Sequence, residues 1–304
     1  MNIFTTLIMI LVMPFLFAGI INRVKSLWAG RKGPSVFQPM LDCIKLFKKR
    51  EMISETVSFM FSVGPVFYVS SVLTAVLFVP YGFNKSILSF EGDFLFFAYI
   101  MTIGNFFMLL SALDTGSSFE GMGASREASF ALFIEPSLFI ILSSFIYLSG
   151  NTSISKMIST LNFTNSYTIV ASLLSIAAFF VMILSEGKRV PVDDPNTHLE
   201  LTMIHEVMVL DHSGPSLALI NYATYLKMTI FTALISSVIF MESGVLFALG
   251  GFIAVSIVSA IIVGTIESIM ARLKMIYVSQ FLLLVFGIAL FIIASVLMGR
   301  GGGV

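Results

Sequence analysis

Eight runs of apolar residues divide this chain, at about 3–21, 59–80, 94–113, 128–149, 167–185, 223–240, 245–266 and 276–298. An α-helix rises about 1.5 Å per residue, so a run of about 20 residues crosses the hydrocarbon layer of a bilayer. Membrane barrel strands would alternate apolar and polar residues, and these runs do not. The pattern therefore predicts an all-α integral membrane protein with about eight transmembrane helices, forming a single transmembrane domain over residues 1–304. Charged residues make up 11% of the chain, against about 25% in soluble domains. The sixth run is the weakest, because its apolar core is short and Lys227 lies near its start. The first run has no preceding basic residue and no small-residue cleavage site, so it is expected to stay as a helix.

Lys and Arg set the expected orientation. Arg23, Lys25, Arg31, Lys32, Lys45, Lys48, Lys49, Arg50, Arg126, Lys188, Arg189, Lys227, Arg272 and Lys274 fall on one side, 14 in all, and Lys85, Lys156 and Arg300 on the other. Positive charge is retained in the cytoplasm, which places the long loops there and both termini outside. The net charge of 0 gives no reason to expect a nucleic acid. The lone Cys43 excludes an internal disulfide and a self-contained iron–sulfur cluster, which usually needs four thiolates.

The polar residues are concentrated. Residues 185–214, SEGKRVPVDDPNTHLELTMIHEVMVLDHSG, hold a group of carboxylates and all 3 histidines. Charge beside lipid is costly and marks an ion path or a docking surface. Pro191 and Pro195 break the chain after the fifth run. A helix is expected from Asn196 or Thr197 to Gly214-Pro215. In that helix His198, His205 and His212 would share a stripe but stand about 10.5 Å apart, too far to ligate one metal ion. With Glu200, Glu206 and Asp211 beside them, they are expected to form a hydrated, titratable surface.

Two other loops carry chemistry. In residues 22–58, Lys45, Lys48 and Lys49 lie opposite Leu41, Ile44 and Phe47, the pattern of an amphipathic helix at the membrane surface. Such a helix would anchor on anionic lipid or serve as a platform for a soluble partner. In residues 113–139, Gly116, Gly121 and Gly123 suggest a tight loop and Ser125 a helix start. Glu135 would then sit about two turns into an apolar helix beside the helix-disturbing Pro136. Arg126 is about 13 Å away along a straight helix, too far to neutralise it. Glu135 is therefore expected to handle protons or line water.

These segments resemble the family of subunit 1 of respiratory complex I. SEGKRVPVDDPNTHLEL with DHSG resembles the family pattern E-x-x-R-x-P-x-D-x-P-x-x-x-x-E-L followed by E-Y-S-G. The match falls on Glu186, Arg189, Pro191, Asp193, Pro195, Glu200 and Leu201, then Asp211, Ser213 and Gly214. Gly33-Pro34, Gln38-Pro39, Asp42 and Lys45 resemble another of its loops, and Gly123-Ala124-Ser125-Arg126 with Glu135 its helix start and buried Glu. LDTGSSFEGMGASREA and IESIMARLK at 266–274 depart from the quinone-reducing subunit. They look like the membrane anchor of group 4 energy-converting nickel–iron (NiFe) hydrogenases, of the formate hydrogenlyase and hydrogenase-4 type.

That resemblance implies a bacterial or archaeal inner-membrane subunit with no cofactor of its own. Hydrogenase large and small subunits, holding the nickel–iron centre and iron–sulfur clusters, would dock on it and antiporter-like membrane subunits would adjoin it. Glu135, Glu186, Asp193, Glu200, Asp211 and Glu267 are the expected proton path, balanced and oriented by Arg126 and Arg189. Gly33, Pro34, Gln38, Asp42, Lys45 and Asp114 are the expected docking residues. The alternative within the family is a quinone-binding subunit. A stand-alone ion transporter would call for internal repeats, which are not visible. A magnesium-dependent transferase built on Asp193-Asp194 would need a second spaced carboxylate pair, and no D-x-x-x-D occurs in 186–214.

Overall fold

A computed structural model describes residues 2–81, 85–161, 163, 165–193, 204–240 and 244–301. The helices are α1 (Asn2–Trp28), α2 (Gln38–Phe47), α3 (Phe59–Val76), α4 (Asp93–Asp114), α5 (Ser118–Ser149), α6 (Ile154–Ser159), α7 (Ser166–Glu186), α8 (His205–Met208), α9 (Gly214–Ile239), α10 (Val245–Ile269) and α11 (Met275–Gly301). Among the described residues, 8 of these are long and apolar enough to span a membrane. The chain is a multi-pass helical membrane protein.

Helix α9 is the centre of the bundle. It packs on α1, α2, α3, α7 and α10, and 78% of its most apolar window is buried, against 28% for α11. Its mean hydropathy, 1.3, is the lowest of the 8 spans. A helix sheathed by protein need not be apolar all round, which is why the sixth run reads weakly in sequence. The helix also starts earlier than the run. Gly214-Pro215 opens α9, because proline lacks an N–H that the first turn leaves unpaired anyway. The expected helix ending at Gly214-Pro215 is thus corrected; the described part of that segment holds only the short α8.

Helix α5 likewise begins at Ser118, ahead of the expected start at Ser125, so Gly121 and Gly123 are helical. Gly123 lets α5 approach α8, for a Cβ there would lie 2.8 Å from the Ile204 carbonyl oxygen. The helix runs on through Pro136. The start of α3 is held from α4: Asp114 accepts from the N–H groups of Ser58 at 2.8 Å and Phe61 at 3.1 Å and from the Ser58 hydroxyl at 2.7 Å. These contacts supply partners for helix-terminal donors. Helix α2 packs Pro39 and Cys43 inward and leaves Leu41, Ile44 and Phe47 exposed.

Candidate functional site: a buried line of charge

Two lysines are buried where the spans meet. Lys227 lies 13 residues into α9, about 20 Å from its start, so it is an interior residue and not the loop cation its sequence position suggests. Its Nζ is 2.8 Å from Glu186 Oε2 at the end of α7, donates to Asn105 Oδ1 of α4, and stands 4.7 Å from the Tyr68 ring centroid. Asn105 Nδ2 in turn donates to Glu135 Oε1 at 3.3 Å. Only one amide orientation serves both neighbours, with oxygen toward the ammonium and nitrogen toward the carboxylate. Lys188, in a left-handed conformation (φ 55°), pairs with Glu127 of α5. Buried charge persists only when matched in this way.

Small cavities follow the same residues. One of 10 Å³ is lined by Asp193, Lys188, Glu127 and Glu186, and another of 10 Å³ by Lys188, His205, Tyr68 and Asn105. A third, of 30 Å³, is lined by Glu186, Asn105, Thr102 and Glu135, with room for a water by the usual threshold of about 10–15 Å³. Beyond Glu135 lies a groove of 520 Å³ between α4 and α5, flanked by the exposed Tyr99, Phe106 and Leu132. Asp193, Glu186 and Glu135 therefore lie along one polar line from the loop layer to the open groove between α4 and α5. Lys188, Lys227, Asn105 and Glu127 belong to it as well.

The adjacent Arg189 takes a different partner. Its Nη1 is 3.5 Å from Glu267 Oε1, and Lys25 Nζ is 2.7 Å from Glu267 Oε2, which ties the loop to α10 and α1. Asp193 binds the chain on two sides, with Oδ1 2.9 Å from Arg272 Nη2 and Oδ2 accepting from the His205 N–H at 2.9 Å. Glu267 thus forms a separate cluster on α1 and α10. Arg126 has its Nη2 4.0 Å from Met122 Sδ, on its own helix. The cations beside Glu186 and Glu127 are Lys227 and Lys188.

Asp211 is exposed and holds the loop through its backbone N–H, 3.2 Å from Oε1 of the buried Glu120. Glu200 and His198 lie outside the described residues. His205 and His212 are both buried, which corrects the expected hydrated stripe. Burial, and then the charges of Lys188 and Lys227, push His205 well below the ordinary histidine range. Burial pushes His212 down to about 4, so it is neutral at neutral pH. His212 stacks on Phe61 with ring centroids 4.1 Å apart, and its Nε2 is 3.2 Å from Ser111 Oγ. For Lys188, burial works against the charge, but Glu127 and then Glu186 outweigh it and raise its pKa.

Among the expected docking residues, Gln38 Nε2 donates to Asp42 Oδ1 at 2.7 Å, and Lys45 is 3.6 Å from the same oxygen. Gly33 and Pro34 present carbonyls to Arg23 Nη1 at 3.2 and 3.5 Å. Asp114 is committed to the α3 start described above. Among the described residues no three His, Cys, Asp or Glu side chains converge as metal ligands. The Cys43 thiol is pushed up to about 11 by burial and by Asp42.

Sequence reasoning passed over Asn105, Glu127 and the pairing role of Lys227. The usable signal was the lysine itself, since an ammonium in an apolar helix requires an acidic partner.

Fold and site define a class: a polytopic helical membrane protein whose interior carries a line of paired charges and amides between its loop layer and its side. The chain belongs to the NADH dehydrogenase family, that of complex I subunit 1, which it matches over residues 1–298. It is 30% identical over 227 residues to hydrogenase-4 component C of Escherichia coli K12, covering 75% of this chain and 71% of that one. It is 29% identical over 278 residues to formate hydrogenlyase subunit 4 of the same organism, covering 88% and 89%. Against NADH-ubiquinone oxidoreductase chain 1 of Aedes aegypti it is 28% identical over 231 residues, covering 71% and 68%. The fold is similar to a chain of the archaeal membrane-bound sulfane sulfur reductase, a respiratory membrane complex. There the TM-score is 0.77 at 21% identity, covering 97% of this chain and 100% of the other.

Proposed function

We propose that this chain is the energy-coupling membrane subunit of a complex-I-like oxidoreductase of the inner membrane. A hydrogenase module, with its nickel–iron large subunit and iron–sulfur small subunit, docks on the cytoplasmic loops around Gly33, Pro34, Gln38, Asp42 and Lys45. Both termini face outward. Redox events in that module shift charge near Asp193, and the shift passes through Glu186 to Glu135 and on to antiporter-like subunits that move protons or sodium.

The observation that carries this reading is the polar line itself. Asp193, Glu186 and Glu135 line successive cavities, and Glu135 also lines the open groove between α4 and α5. A closed structural salt-bridge network would have no reason to end at a half-buried carboxylate on an open groove among apolar side chains.

The test is Glu135→Ala and Asp193→Ala in the whole complex in native membrane vesicles. Partner subunits should still co-purify and hydrogen turnover should persist, while formation of an ion gradient is lost. Full gradient formation in both variants would remove these residues from the path. Failure of any nickel–iron protein to co-purify with the unaltered chain would return the reading to a quinone-linked complex.

A further inference from the structure

The charges around Lys227 can be counted element by element. Helix α3 contributes Tyr68, α4 the neutral Asn105, α5 Glu127 and Glu135, and α7 Glu186. The segment after α7 contributes Lys188, the α8 region His205, and α9 Lys227. Asp193 is balanced by Arg272 and adds no net charge. What remains is 2 cations, Lys188 and Lys227, against 3 carboxyls, Glu127, Glu135 and Glu186. Two of the carboxyls have a lysine each, whereas Glu135 faces the amide of Asn105. Buried groups avoid uncompensated charge by taking up or releasing protons.

We propose that this cluster holds one exchangeable proton, that it resides on Glu135, and that Lys227 is the positioning residue that puts it there by committing itself to Glu186. The inference deepens the proton-path reading and rests on it for the use made of that proton. Removing the Lys227 charge leaves 1 cation against 3 carboxyls, so a second proton enters. Removing Lys227 and Glu186 together leaves 1 against 2, which restores the original proton count. The 30 Å³ cavity that both carboxyls line gives the proton a route between them.

The experiment is infrared difference spectroscopy on the whole purified complex at neutral pH, reading the carbonyl band of protonated carboxyl groups. Glu135→Gln should lose one such band relative to the unaltered complex. Lys227→Met should gain one, Lys227→Arg should gain none, and Lys227→Met with Glu186→Gln should match the unaltered complex. If Lys227→Met alone fails to assemble, the double variant decides: retention of the band supports the count and its loss overturns it. An unchanged spectrum in Glu135→Gln, or no gain in an assembled Lys227→Met, also overturns it. Correct bands with normal ion-gradient formation in Glu135→Ala would instead retire the path and leave the proton count standing.

Discussion

The Nζ of Lys227 lies 2.8 Å from Glu186 Oε2, and neither side chain is more than 8% exposed. The pair joins α9 to α7 in the interior of the bundle. Its strength depends on both members being present.

Lys227→Met should therefore destabilise the protein, by less than the about 3–5 kcal/mol of a buried charge left unmatched, because proton uptake by the remaining carboxyl offsets part of that cost. Adding Glu186→Gln should recover most of that loss. Thermal unfolding of the complex in detergent checks this; equal destabilisation in the single and double variants would contradict it.

His212 gives stability a dependence on pH. Its folded-state pKa, about 4, lies below the unfolded value of 6.5, so the unfolded chain binds the extra proton. Stability should fall as pH drops from about 6.5 toward 4 and level off below, with no contribution above 6.5. His205, shifted in the same direction, adds to this slope. His212→Gln should flatten the curve in a melting series across that range, and an unaltered slope would rule the residue out.

Asp114 caps α3 from a neighbouring helix. Asp114→Ala should cost about 1 kcal/mol, and Asp114→Asn should retain part of it. Limited proteolysis between α2 and α3 should quicken in the alanine variant while the partner subunits still co-purify. Loss of the partner subunits from Asp114→Ala, with unchanged proteolysis, would instead make Asp114 a docking residue.

Gly123→Ala brings a methyl within 2.8 Å of a backbone oxygen, which cannot rotate away. We expect a loss of about 1–3 kcal/mol from overpacking, with α8 displaced. Hydrogen exchange of residues 205–208 should rise in this variant, and unchanged protection would show that the contact yields easily.

Particular residues show what sequence could and could not convey. The run at 167–185 became α7, Ser166–Glu186, almost unchanged, because that helix is uncharged along its whole length until Glu186. The run at 223–240 understated α9, Gly214–Ile239, because that helix is surrounded by protein. Glu135 was readable from its apolar neighbours and the proline beside it. Asn105 was not, since a lone amide in an apolar run says nothing about which carboxylate and ammonium it will bridge. The histidines misled because spacing of 7 residues marks a helical stripe only if the helix forms, and α8 stops at Met208.

By itself the sequence determined the all-helical membrane class and the family and singled out Glu135, Glu186 and Asp193, because solvation by lipid imposes its demands residue by residue on each span. The tertiary structure alone decided that Lys227 matches Glu186, that Lys188 and Arg189 take different partners, and that His205 and His212 are buried. Those outcomes depend on which helices meet at a given depth, and a Coulomb interaction is set by distances of a few ångströms between residues far apart in the chain.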